Sequence, residues 1–247
     1  MIKVAHESPL CIMDDIRKCT EYDYALVHLL CIDEYFQFFK ESIKLNREII
    51  LDNSLYELGS AFKDEEYAEN IAKLNPTYYI VPDAFNNYAE NINLANQWLD
   101  KYSDINISKI GVVHGSTYEE YTDCYKFMTE RTDKVAFTLG DDITQKLGRY
   151  NLIKKMADDN ILDTEKPHHL LGCIVPQEFN RYAGLKYIDT IDTSSPVMAT
   201  INNTMLTESG LESKPKGKII DHLYIEYSDI DHELLNHNLK MFRKILC

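Results

Sequence analysis

Short apolar runs recur along the chain, each closed by an acidic, histidine or glycine tip and followed by a stretch of helical periodicity. Residues 24–32 (YALVHLLCI) are nearly all apolar, as expected of a strand buried on both faces. Residues 48–51, 78–81, 109–113, 134–139, 169–173 and 187–192 repeat the pattern, and residues 1–5 read as a short edge strand. Between these runs, 35–45, 64–74, 87–102, 117–130 and 143–160 read as helices. Asp64 is expected to cap the second of them, and Thr117 with Glu119 and Glu120 to open the fourth. Pro176 starts a short helix that Gly184 ends. Beyond Pro196 the pattern weakens. Residues 202–218 form a polar, locally basic loop, 219–227 are expected to supply a last strand, and 231–246 a closing helix with Leu235, Leu239, Phe242 and Leu246 on one face.

The strand tips are Asp52, Asp83, His114, Gly140, Gly172 and Asp192, spaced 20 to 32 residues apart. Strand, tip and helix repeated at that interval predict an α/β barrel of the (β/α)8 (TIM) type or an open α/β sheet. A chain of 247 residues matches one such barrel, so residues 1–247 are expected to form a single domain. No GxGxxG or GxxxxGK[ST] follows any strand, which argues against the common nucleotide-binding folds. In a barrel, all six tips surround one mouth.

Composition narrows the class without naming it. The net charge of −14 argues against a protein that coats nucleic acid, because phosphate binding rests on Lys and Arg; a local basic patch remains compatible. The six cysteines are scattered with no zinc spacing, so reduced thiols, no metal and a cytoplasmic setting are expected. Nothing approaches the length of a membrane span, and no membrane partner is expected.

Three carboxylates at one mouth suit nucleophilic and acid/base work at a sugar carbon: one aspartate attacks the anomeric carbon while another moves a proton to and from the leaving group. Gly140 and Gly172 let a planar ring approach the backbone, and His114 has the chemistry to hydrogen-bond a heterocycle. The residue types alone allow a glycosidase, an aldolase or a metal-dependent hydrolase equally. The plainer readings are helix caps for the aspartates, Asp83 especially, a structural role for His114, ordinary core or rim aromatics for Tyr56 and Phe85, and a solvated face for the lysines of 146–155. Asp192 lies at the strand tip on the face of Ile188 and Thr190. Asp189 is expected on the opposite face and is the lesser candidate.

At these motifs the chain resembles the queuine/archaeosine tRNA-guanine transglycosylase family, and is most similar to short phage and bacterial members that insert 7-deazaguanine bases into DNA. Asp52-Asn53-Ser54-Leu55-Tyr56 is similar to the family's Asp-Ser-Gly-Gly-Tyr/Phe segment, Val81-Pro82-Asp83 to its base-reading strand end, and Leu139-Gly140 to its backbone contact. Leu170-Leu171-Gly172-Cys173-Ile174-Val175-Pro176-Gln177-Glu178 resembles its Leu-Met-Gly-Val-Gly-x-Pro-Glu-Asp run, and Ile191-Asp192-Thr193-Ser194-Ser195-Pro196 its Phe-Asp-Cys-x-x-Pro nucleophile motif. The likeness spans about 48–200. It implies a barrel, Asp192 as nucleophile, Asp52 as proton carrier, and Tyr56, Asp83, His114, Gly140 and Gly172 around the base. It also implies exchange of guanine for a 7-deazaguanine of the preQ0 type without cofactor.

The chain departs from the family in ways that shift the expected substrate. The Cys-x-Cys-x2-Cys…His zinc motif of the tRNA enzymes and the archaeal tRNA-binding domains are absent, His114 stands for a Gln, Leu55 for a Gly, and Val197-Met198 for an Arg. These departures favour DNA over tRNA, in host cytoplasm if phage-encoded, with an accessory protein allowed. Lys146, Arg149, Lys214, Lys216 and Lys218 are the expected phosphate contacts. The competing readings are tRNA exchange by a reduced enzyme, a non-catalytic nucleic-acid-binding barrel, and a glycosidase releasing base to water.

Overall fold

The computed structural model describes residues 2–60 and 62–246. Eight strands, all parallel, run in the order β1-β8-β7-β6-β5-β4-β3-β2. They are β1 (Lys3–Ala5), β2 (Asp23–Leu26), β3 (Ile49–Asp52), β4 (Tyr78–Ile80), β5 (Ser108–Val113), β6 (Lys134–Phe137), β7 (His168–Leu170) and β8 (Ile188–Asp192). The seam between β1 and β2 is held by Glu21, whose backbone N–H donates to the Val4 carbonyl at 3.3 Å while its side chain accepts from the Val4 N–H at 2.9 Å. The sheet is therefore a nearly closed barrel, the expected (β/α)8-type (TIM-like) fold. Instead of a free edge, β1 joins β8 in register, Ala5 beside Asp192. Met1, included in the expected first strand, lies outside the described residues.

Helices alternate with the strands: α1 (Met13–Arg17), α2 (Asp33–Lys44), α3 (Leu55–Leu58), α4 (Asp64–Leu74), α5 (Tyr88–Lys101), α6 (Tyr118–Arg131), α7 (Asp142–Leu147), α8 (Arg149–Asp158), α9 (Ser195–Ile201) and α10 (His232–Leu246). Their apolar faces pack on the outside of the barrel, where Trp98 of α5 nests among Tyr67, Tyr79 and Tyr102. Helix α6 opens with a full capping box, Thr117 and Glu120 satisfying each other's backbone N–H groups. Asp64 is the first residue of α4 rather than its cap.

Three expectations change in the structure. The apolar run 24–32 is a strand only to Leu26, because the Leu26 N–H donates to the Tyr35 hydroxyl at 2.9 Å instead of to a neighbouring strand, and Val27–Leu29 turn into a 3-10 helix. The helix expected over 143–160 is two, broken at Gly148, whose φ of +79° lies in the left-handed region. Residues 219–227 form no strand; Ile219–His222 is a 3-10 turn. Ile219 and Ile230 are buried with Ile12, Ile16, Val197, Leu235 and Leu239 beneath α10. An apolar run reports burial, not backbone angle, and the barrel's ladder positions were already filled.

The barrel's lower end is closed by charge. Lys134, fully buried at the start of β6, donates to Asp189 at 2.7 Å, and Lys3 bridges Glu48 and Asp189. Burial opposes ionisation of Asp189, but Lys134 and Lys3 outweigh it and hold the carboxyl below its usual range. Asp189 is thus a bottom-plug residue, remote in role from Asp192.

Candidate active site

At the opposite end, where the strands' C-termini meet, a cleft of about 370 Å³ opens, lined by Asp52, Tyr56, Asp83, Gly140, Gly172, Asp192, Lys214 and Lys218 among others. Asp192, the last residue of β8, is 4 % exposed. Its Oδ1 accepts from His169 Nε2 and from the Gly172 N–H, both at 3.0 Å. Among the described residues nothing donates to Oδ2. The positive φ of Gly172 (+65°) turns its N–H toward Asp192; a Cβ there would meet no atom within 4 Å, so conformation rather than space calls for glycine.

Asp52 ends β3. Its Oδ2 accepts from the Tyr24 hydroxyl at 2.6 Å and its Oδ1 from the Ser54 N–H at 2.5 Å, with Ser54 itself in the left-handed region. Burial first, and then the neighbouring Glu57, push the Asp52 carboxyl well above the ordinary range, more than the Tyr24 and Ser54 bonds pull it down. The two aspartates are linked by side chains: the Tyr24 ring, which holds Asp52, lies at 5.9 Å and 17° to the imidazole of His169, which holds Asp192. Two further carboxylates, Glu7 and Glu57, line the same cleft. Burial raises both, with Glu57, Asp192 and Asp52 adding to the rise of Glu7. Neither was among the expected residues. Glu57 shares the Asp52 tip segment, and Glu7 follows β1 by two residues, a position that stands out only once β1 counts as a barrel strand.

Asp83 lines the cleft with its carboxylate fixed from behind, Oδ1 by Asn53 Nδ2 at 2.7 Å and Oδ2 by His114 Nε2 at 2.6 Å. The cap of α5 is Asn87, so Asp83 is free of that duty. His114 does not face the cleft. It is fully buried, with Nδ1 on Asp141 at 2.8 Å, and both ring nitrogens are taken. The expected contact from His114 to a base is therefore not available directly; its imidazole reaches the cleft lining only through Asp83. Burial works against the imidazolium, but the hydrogen bonds to Asp141 and Asp83 and their charges raise His114 from 6.5 to about 9. A raised histidine stabilises the fold fully below its unfolded value and loses that contribution as pH rises through the folded one. The unfolding free energy from denaturant titration is expected to fall between about pH 6.5 and 9, by up to roughly 3 kcal/mol from this group. A flat profile across that window would mean that the imidazolium contributes nothing.

Gly140 also lines the cleft, and a Cβ there would stand 3.1 Å from the Phe85 ring. Tyr56 is 54 % exposed at the rim, with the ammonium groups of Lys214 and Lys218 at 5.3 and 4.7 Å from its ring centroid. Lys214 donates to the Tyr56 hydroxyl and Lys218 to its carbonyl, both at 3.2 Å, so the loop of 202–218 folds back over the mouth. Lys216 and Lys146 are exposed and are not part of the cleft lining. On α8, Lys154 and Lys155 pair with Asp158 and Asp159, which cancels much of that face's charge.

Arg149 is not a surface phosphate contact. The break at Gly148 turns it inward, where it is 2 % exposed, pairs with Glu178 at 2.9 Å and donates to the carbonyls of Phe137, Leu171 and Gly172. It braces the backbone that carries the Gly172 N–H. Arg149→Met should strand the Glu178 carboxylate and three carbonyls and cost roughly 3–5 kcal/mol in urea unfolding. A loss below about 1 kcal/mol would reduce this cluster to the weight of a surface ion pair.

No group of three or more His, Cys, Asp or Glu side chains suited to hold a metal ion is present among the described residues. The five described cysteines are free. No helix among the described residues is long and apolar enough to cross a membrane. No protein-family model matches the chain, and no curated protein matches its sequence.

Proposed function

We propose that the protein is a transglycosylase that exchanges guanine in DNA for a 7-deazaguanine base of the preQ0 type through a covalent aspartyl-glycosyl intermediate. The observation that carries the reading is the division of labour between two carboxylates in one cleft. Among the described residues nothing donates to Asp192 Oδ2, and Asp52 is pushed toward its protonated form. A carboxylate with an open oxygen suits attack, and a carboxyl held toward its acid form suits proton donation.

In the first displacement Asp192 Oδ2 attacks C1′ and the C1′–N9 bond breaks, its electron pair leaving with the purine. Asp52 supplies the proton that lets guanine depart neutral. In the second, Asp52, now a carboxylate, takes the N9 proton of the incoming base. N9 attacks C1′, and the bond to Asp192 breaks with its electrons returning to the carboxylate. Two inversions retain configuration. Asp83, held by Asn53 and His114, offers acceptor lone pairs that match the N1–H and exocyclic amino donors of a guanine edge. A cleft of about 370 Å³ suits a single nucleoside, so the base must be flipped out or presented on a single strand. Lys214 and Lys218 at the rim supply charge for the flanking phosphates. The lack of the zinc-binding cysteine motif in the sequence favours DNA over tRNA.

The test is incorporation of labelled guanine, and its chase by preQ0, in double-stranded DNA, single-stranded DNA and tRNA. Exchange in DNA supports the reading, and exchange in tRNA alone keeps the chemistry while changing the substrate. Release of base without incorporation would make the protein a glycosidase. No reaction with any of them, in the presence of host extract as a source of accessory protein, would overturn the reading.

A further inference from the structure

We propose that His169 is a positioning residue that selects which oxygen of Asp192 attacks, as the upper end of a hydrogen-bonded chain running up the barrel interior from the ion pair at its base. The inference rests on the function proposed above and deepens it.

The chain begins with Lys134, which donates to Asp189 at 2.7 Å and to Thr190 Oγ at 3.4 Å. An ammonium has hydrogens to give and no lone pair, so Thr190 Oγ is the acceptor, and its own hydrogen is left for His169 Nδ1 at 2.9 Å. With Nδ1 accepting, a neutral imidazole carries its proton on Nε2, where it is donated to Asp192 Oδ1. Burial keeps His169 below its ordinary value despite the pull of Asp192, and Lys134 and Arg149 add to that lowering. The ring is fully buried, stacked on Tyr24 and in register with Thr190 of β8.

Two N–H groups, from His169 and Gly172, thus occupy the same oxygen and leave Oδ2 as the nucleophile. Once the glycosyl ester forms through Oδ2, Oδ1 becomes its carbonyl oxygen and keeps both donors. They then stabilise the charge that returns to the carboxylate when the incoming base displaces it. The adjacent His168 has no such role. It bonds the Tyr125 hydroxyl and the Tyr187 carbonyl, and burial takes it down to about 4.

His169→Leu should lower kcat by roughly 10²-fold while KM stays nearly constant, since the donor acts on charge that changes during reaction. His169→Gln, whose amide can donate to Oδ1, should recover most of the loss; both variants are compared at matched thermal stability. Equal impairment of the two, or a change confined to KM, would overturn the proposal. Nitrogen-15 NMR of wild type is independent of turnover. It should show neutral His169 protonated on Nε2 near neutral pH, and an Nδ1–H tautomer or an imidazolium would also overturn the proposal. Wild type that exchanges no base yet shows the Nε2–H tautomer would sink the function reading and leave the hydrogen-bond chain standing.

Discussion

Asp192→Asn is expected to abolish base exchange and with it any covalent adduct trapped between protein and nucleic acid. The amide is nearly isosteric, so folding should survive, but its nitrogen would bring hydrogens to an oxygen position that already receives two, or turn a non-nucleophilic group toward the sugar. Without an attacking carboxylate the covalent route is closed, and the residual rate should be at or below about 10⁻⁴ of wild type. Denaturing gel shift of labelled oligonucleotide alongside the exchange assay reads both losses. Asp189→Asn provides the contrast. Its carboxylate belongs to the ion cluster with Lys134 and Lys3 at the other end of the barrel, so stability should fall while the adduct still forms. An adduct that persists in Asp192→Asn and disappears in Asp189→Asn would reverse the assignment.

Asp52→Asn should slow exchange by about 10²–10⁴-fold, the usual weight of general acid/base help, without preventing nucleic-acid binding. Its pH signature is more diagnostic than its size. Burial and Glu57 raise the Asp52 carboxyl well above the ordinary range, so it keeps its proton to higher pH than an ordinary carboxyl does. The rate that depends on it, kcat/KM for the nucleic acid, should fall on the alkaline side as pH rises through that elevated value. In Asp52→Asn this alkaline limb should vanish and leave a slower, flatter profile. A variant that keeps both the rate and the limb would leave Asp52 a structural residue tied to Tyr24 and Ser54, and Glu7 would become the acid to test, since it lines the same cleft and is raised for the same cause.

How much of the site was legible in the chain depended on whether its partners were close in sequence. Asp52, Asp83, Gly140, Gly172 and Asp192 each end or follow a parallel strand, and a strand tip is visible as the place where an apolar run stops. His114 ended a strand by the same rule, yet its side chain points away from the cleft into Asp83 and Asp141. The second of these carboxylates lies 27 residues further along. Arg149 read as part of a basic helix face until the left-handed Gly148 divided that helix and turned the guanidinium toward Glu178, 29 residues away. His169 was invisible as anything but strand, because its meaning comes from Thr190 and Asp192, one strand over.

The sequence by itself determined the alternation of strand and helix, the count of tips and the place of Asp52 and Asp192 at two of them. These follow from local rules, namely side-chain period, capping chemistry and the way glycine and proline break an element. Only the tertiary structure decided which carboxyls burial raises, which histidine is raised and which is lowered, and which oxygen of Asp192 is left open. Protonation and hydrogen-bond direction depend on burial and on partners brought together by closing the barrel, and burial is a property of the whole fold that no stretch of chain carries alone.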